Sequence, residues 1–248
     1  MKYSTSTLVA LSLLALPPAA QAATIAVSDP LVTTLGLSQG DTFRMVFVTS
    51  TATNATSTNI NTYNTFVTNI AKDLAGNTGS IVAQYVDWSW SVIGSTATVN
   101  AIDNTLTTWT DAAPGHPIFL VGGGSSKVAD SYKDLWDGSI LRTISLNEKG
   151  VAAGSGSNWR WSGTASNGSS LPSDGGQGPL GKVSSSWQTG PGAATSSTNT
   201  NWIQREGDLA TSSYRLLAMS GAITVVPEPA TLSMLALGGL AILRRRRK

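Results

Sequence analysis

The chain has no cysteine and a single histidine, and those two facts remove most catalytic and metal chemistry before spacing is considered. Without a thiol there is no cysteine nucleophile, no thiolate metal site and no redox pair. His116 stands in Pro114-Gly115-His116-Pro117. As a general base it needs an orienting acid, and as a zinc ligand it needs companions that the sequence does not hold, so the plain alternative is a loop histidine. No Gly-x-Ser-x-Gly elbow occurs, and a Ser-His-Asp triad would have to be assembled around this one imidazole. Asp130, Asp134 and Asp137, spaced by four and three, can offer oxygen ligands to Ca²⁺ or to a polar ligand. They lack the alternating acids of an EF-hand loop, and Asp137-Gly138 reads equally well as a turn. Carboxylate pairs for glycoside hydrolysis can be drawn from these or from Asp87, Asp103 and Glu148, but the separation that the mechanism requires is a property of the fold. Gly122-Gly123-Gly124 followed by Ser125-Ser126-Lys127 departs from phosphate-loop spacing and reads as a turn. From these residues no catalytic group is assigned, and no metal or cofactor is expected.

The eight tryptophans have two readings. Exposed indoles stack on sugar rings, whereas buried ones fill the core of a domain poor in Phe; for most of them core is the expectation.

The two ends of the chain carry a different kind of chemistry. Residues 1–22 read as a secretory signal: Lys2 in a short basic region, Leu8 to Leu16 as the apolar stretch, and Ala20-Gln21-Ala22 as the small-x-small cleavage site. The apolar stretch is too short to span a bilayer. At the other end, residues 226–248 have three parts. Val226, Pro227, Glu228 and Pro229 form an extended turn that cannot sit inside a helix. Ala230 to Leu243 is free of charge and helix-prone. Arg244, Arg245, Arg246, Arg247 and Lys248 then close the chain and favour the cytoplasmic side. A run of this length spans roughly 21 Å at ~1.5 Å per residue, against ~30 Å of hydrocarbon. That is short for a permanent tail anchor, the ordinary alternative, and suits a transient stop-transfer element.

This tail resembles the PEP-CTERM sorting signal, in which a Val-Pro-Glu-Pro motif, a short transmembrane helix and an Arg-rich end close an exported protein. The resemblance implies processing near Pro-Glu-Pro by an exosortase, an integral membrane enzyme. It implies a transient tether at the inner membrane, then the cell surface or extracellular matrix of a Gram-negative bacterium that makes exopolysaccharide.

With the end segments set aside, the charge balance changes sign. Lys2 and Arg244–Lys248 hold six of the 16 basic residues and Glu228 one of the 14 acidic ones, which leaves the exported body, residues 23–225, at about −3. No basic patch for nucleic acid is expected. A body of this size suits one domain without disulfides.

Thr42–Val48 is the clearest strand, apolar enough to be central. A helix is expected from about Ser57 to Ala75, because Ile60, Tyr63, Phe66, Val67, Ile70 and Leu74 fall on one face. Ser57 or Thr58 would cap it and Gly76-Asn77 would stop it. Ile81–Ile93 reads as one or two short strands, Ser95–Asp111 as loop and Pro117–Val121 as a strand. Residues 150–200 are Gly- and Ser-rich but punctuated by tryptophan, and Tyr214–Met219 closes the domain. The expected fold is α+β: a single lectin-like domain with one long amphipathic helix, short strands and long loops. The order of landmarks is similar to C-type-lectin-like/endostatin-like bacterial surface domains. The matching pieces are Phe47-Val48-Thr49-Ser50, Trp90-Ser91-Val92-Ile93, Asp134-Leu135-Trp136-Asp137-Gly138, Trp159-Arg160-Trp161-Ser162-Gly163-Thr164 and the closing Tyr214-Arg215-Leu216. That group's disulfide cysteines and its Trp-Asn-Asp calcium signature are absent. Two functional expectations follow: a non-catalytic surface or matrix protein associated with exopolysaccharide, or an extracellular hydrolase acting on polysaccharide or peptide.

Overall fold

The computed structural model describes residues 23–74, 76, 79–122, 126–153, 159–173, 177–182, 197–205 and 207–228. Its centre is strand β2 (Thr42–Val48), buried along nearly its whole length. A strand covered on one face alternates apolar and polar residues, whereas β2 does not, because both of its faces are covered. Phe43, Met45 and Phe47 enter one core cluster, and Val46 and Val48 enter a second on the opposite face.

The first described residue opens β1 (Ala23–Ala26), and helix α1 (Pro30–Leu35) follows, capped by the Asp29 carboxylate on the Leu31 N–H. Helix α2 (Ile60–Ala71) covers the face of β2 that carries Phe47, and β3 (Trp90–Val92) packs beside it. A short helix α3 (Ala101–Asn104) interrupts the stretch expected to be loop, and strands β4 (Ile118–Leu120) and β5 (Lys127–Ala129) lead to helix α4 (Tyr132–Leu135). Strand β6 (Arg160–Trp161), a 3-10 turn at Thr200–Trp202, and strands β7 (Arg215–Ser220) and β8 (Ile223–Val226) complete the body. All eight strands belong to one mixed sheet, with β2 flanked by β4 on one side and by β7 and β8 on the other. This is an α+β arrangement with few helices.

The expected helix is shorter than its apolar face suggested. It starts at Ile60 because the Asn59 side chain, rather than Ser57 or Thr58, accepts from the Asn61 N–H. It stops at Lys72 because Asp73 turns left-handed at φ 51°, which leaves Leu74 65% exposed. Of Ile81–Ile93 only Trp90–Val92 is strand, and the earlier part is a series of turns closed by Tyr85 N–H to Val82 and Trp88 N–H to Tyr85.

β7 and β8 form one bent strand along β2. Phe43 faces Ile223 while Val46 faces Met219, so one extra residue lies on the β7–β8 side: a bulge at Ser220-Gly221-Ala222. The Ser220 hydroxyl accepts the Met45 N–H (2.9 Å), and its carbonyl is freed to accept from Arg44.

Arg44 is 5% exposed, and all its partners are neutral. Nε donates to the Tyr132 hydroxyl (2.6 Å), Nη1 to the carbonyls of Thr105 (2.7 Å) and Ser220 (2.9 Å), and Nη2 to that of Leu106 (3.0 Å). Two of those carbonyls lie at the end of α3, where the helix leaves acceptors unmatched. A buried cation is tolerable only when every lost water contact is replaced, and a planar fork of donors does that here. Replacing Arg44 with Met should cost about 1–3 kcal/mol of stability, because buried carbonyls are left without a donor, read from urea denaturation of the mature protein. Arg44→Lys should recover only part of it, since one ammonium cannot reach four acceptors. Equal stability of Arg44→Met and the parent would show that these carbonyls do not need the guanidinium.

Candidate functional site

The C-terminal site begins inside the fold. β8 lies between β1, with which it pairs in parallel from Ala23↔Ile223 to Ala26↔Val226, and the start of β2, with which it pairs antiparallel. Val225 is fully enclosed, its N–H donating to Asp41 and its carbonyl accepting from Gly40 (both 2.9 Å). The Val226 carbonyl accepts from the Val27 N–H (2.9 Å), and this is the last rung. Pro227 has no N–H with which to extend the ladder. Pro227 and Glu228 are half-buried. Pro229, the apolar run Ala230–Leu243 and Arg244, Arg245, Arg246 and Arg247 lie outside the described residues, as do Ala20 and Ala22 of the leader. Among the described residues no helix is long and apolar enough to cross a membrane.

Within the body the acidic candidates are taken up by local structure. Asp130 pairs with Lys127 (2.9 Å), both well exposed. Asp134 accepts the Asp130 N–H (2.7 Å), so these two carboxylates share a turn at the head of α4. Asp137 accepts from the N–H and hydroxyl of Ser139 in its own turn. Among the described residues no three His, Asp or Glu side chains gather closely enough to hold a metal ion. Asp87 and Asp103 are exposed, and Asp103 accepts from the Asn100 amide (2.9 Å). Glu148 is fully buried: Oε2 accepts the Ser50 N–H and its backbone carbonyl accepts the Ile81 N–H (both 2.9 Å). It ties the end of β2 to the 81–85 turn.

His116 is half-buried, its ring edge-on to Tyr132 (centroids 5.6 Å apart). The backbone can come this close because residue 115 is glycine: at φ 93°, a Cβ there would sit 2.2 Å from the Tyr132 ring. Burial first, and then the Arg44 charge, hold the imidazole below its ordinary value. No acid among the described residues orients it, and the geometry sets it in a loop against a buried arginine.

Of the tryptophans, Trp88, Trp90, Trp136, Trp161 and Trp202 are buried in the two cores. Trp109 is 37% exposed with Lys133 Nζ over its ring, and Trp159 is half-buried with Arg205 over it. Trp187 lies outside the described residues. Most indoles therefore serve packing.

The body is a folded module whose final strand runs straight into a proline-bounded segment. Residues 225–248 match the PEP-CTERM protein-sorting motif, which implies an exosortase as processing partner, export with membrane-anchored processing, and an extracellular destination. No curated protein matches this chain.

His116 also predicts a pH dependence. Because the fold favours the neutral imidazole, the unfolded chain binds more protons than the folded one once pH drops below 6.5, and stability falls with it. The melting temperature should therefore decline from pH 6.5 toward about 5, above the main carboxylate range. His116→Gln should flatten that limb, and a variant that retains the same slope would assign it to other groups.

Proposed function

We propose that the protein is a non-catalytic component of the surface or extracellular matrix of a Gram-negative bacterium. In this reading it is tethered briefly at the inner membrane, released by an exosortase and associated with exopolysaccharide. The observation that carries the reading is the sorting motif joined to the last strand of a packed body, with Val226 still hydrogen-bonded to Val27 and Pro227 already outside the ladder. The consumption of Asp130, Asp134 and Asp137 in turns and in an exposed ion pair supports a structural rather than a catalytic use of those acids. The net charge of the body, about −3, favours a neutral polymer over a strongly anionic one.

Two measurements test this on native material. Mass spectrometry of the secreted protein should show the leader and the Arg244–Lys248 end removed, and deletion of the exosortase should restore the latter. Incubated with the producing organism's own exopolysaccharide, the mature protein should co-elute with the polymer on size exclusion and leave its length unchanged. An Arg244–Lys248 end that persists on the secreted protein would defeat the sorting reading, and progressive shortening of the polymer would replace a matrix role with a hydrolase.

A further inference from the structure

Beside the β1–α1 turn lies a cavity of about 330 Å³, at the lower end of the ~300–1,000 Å³ range of small-molecule sites. It is walled by two segments distant in sequence, the turn through Asp29 and α1 on one side and the 81–85 turn on the other. These walls are joined: the Tyr85 hydroxyl donates to the Asp29 carboxylate (3.1 and 3.3 Å), and that carboxylate also caps α1 through the Leu31 N–H (2.9 Å). The Tyr85 ring is stacked on Trp88 at 4.1 Å and 7° between planes, and Trp88 is itself 1% exposed and edge-on to Phe43. The aromatic wall is thus fixed by the core rather than free to swing. Burial, then the Asp29 charge, push the Tyr85 hydroxyl well above its ordinary value, so it remains a donor.

The lining is divided by chemistry. Leu31, Ile81 and Tyr85 give the apolar surface, Met45 and Val82 being almost wholly buried, while Thr34 and Gln84 stand exposed at the edge. The Gln84 amide N–H is used on the Ile81 carbonyl (3.1 Å), which leaves its side-chain oxygen available as an acceptor. Among the described residues no lysine or arginine lines the cavity, and the one carboxylate there already serves two donors. A cation would have to displace those donors, and an anion would meet the carboxylate. What fits is a flat neutral molecule with C–H faces and a hydroxylated rim.

We propose that this cavity binds one neutral pyranose residue, its C–H face on the Tyr85–Leu31–Ile81 side and its hydroxyls on Thr34 and Gln84. The proposal deepens the exopolysaccharide reading above and, in naming the polymer as source, rests on it. A single ring makes few contacts, so affinity should be in the millimolar range, and a polymer gains by offering many such rings to many surface copies.

The test uses saturation-transfer NMR on the mature protein, with methyl α-D-glucopyranoside, methyl α-D-mannopyranoside and methyl β-D-galactopyranoside as neutral probes and methyl β-D-glucuronide as the anionic control. At least one neutral glycoside should receive saturation, strongest at its ring C–H protons, and the glucuronide should not. Gln84→Ala, which removes the acceptor, and Thr34→Tyr, which obstructs the mouth, should each weaken the signal about tenfold. Both positions are exposed, so both variants should melt with the parent. No transfer to any neutral probe, equal transfer to the glucuronide, or transfer unchanged in both variants would each overturn the site. Co-elution with exopolysaccharide that survives Thr34→Tyr would remove the cavity while leaving the matrix role. Glycoside binding without co-elution would keep the cavity and remove the matrix role.

Discussion

The position of β8 is the constraint on which the rest depends. It lies between β1 and the start of β2 and is hydrogen-bonded on both sides. An edge strand can fray without consequence, but a strand in this position holds two neighbours together. Losing it would detach β1, expose Ile25 and Val225 and open the β2 edge. Because β1 and β8 stand almost two hundred residues apart in sequence, the sheet closes only when the last body residues are present. Such long-range pairing is slow to form, since loop closure must precede any contact that rewards it. The parallel sense of the pairing also sets where the ends emerge. Ala23 opens the pair opposite Ile223, and Val226 leaves it beside Ala26, at the other end.

The bulge in the β7–β8 strand is what lets one segment serve both halves of the core. Before it, β7 pairs with the second half of β2, and after it β8 turns to take β1. A bulge leaves a residue out of the ladder, and Ser220 answers that cost twice, its hydroxyl replacing a backbone acceptor for Met45 and its carbonyl receiving Arg44. Arg44 then gathers the end of α3, the bulge and Tyr132 of α4 around a single side chain. With only one helix longer than two turns among the described residues, such a junction supplies order that longer elements would otherwise give.

Much of this was legible in the sequence, and the parts that were not share a cause. Thr42–Val48 reads as a central strand because a run apolar on both faces has nowhere else to go, and the structure places it there. The α2 face is equally plain, but its limits are not. Ser57, Thr58 and Asn59 are all good caps, and only the path of the chain selects Asn59, while Leu74 continues the apolar spacing yet lies past the left-handed Asp73. β1 and β8 are four residues each, too short for a period of two to stand out. Their meaning comes from pairing with each other, which no local pattern records. Arg44 interrupts a strand and looks like a solvent-facing alternation, although its fork is buried. The Asp29–Tyr85 contact that closes the cavity joins residues with no shared motif. By contrast the sorting tail is legible, because its motif is one continuous local run, residues 225–248.

Fold and signal overlap at Val225 and Val226. Both belong to the sheet, Val225 through Asp41 and Gly40 and Val226 through Val27, yet both also fall within the sorting motif at 225–248. The next residue settles the division of labour. Pro227 cannot donate to β1 or β2, so the ladder ends at Val226. Had the boundary fallen two residues earlier, processing would remove Val225, whose N–H and carbonyl bind Asp41 and Gly40, and the released protein would lose the strand that closes it. A cut at or beyond Pro227 would leave every described rung of β8 in place, and the body would then keep the same sheet before and after release.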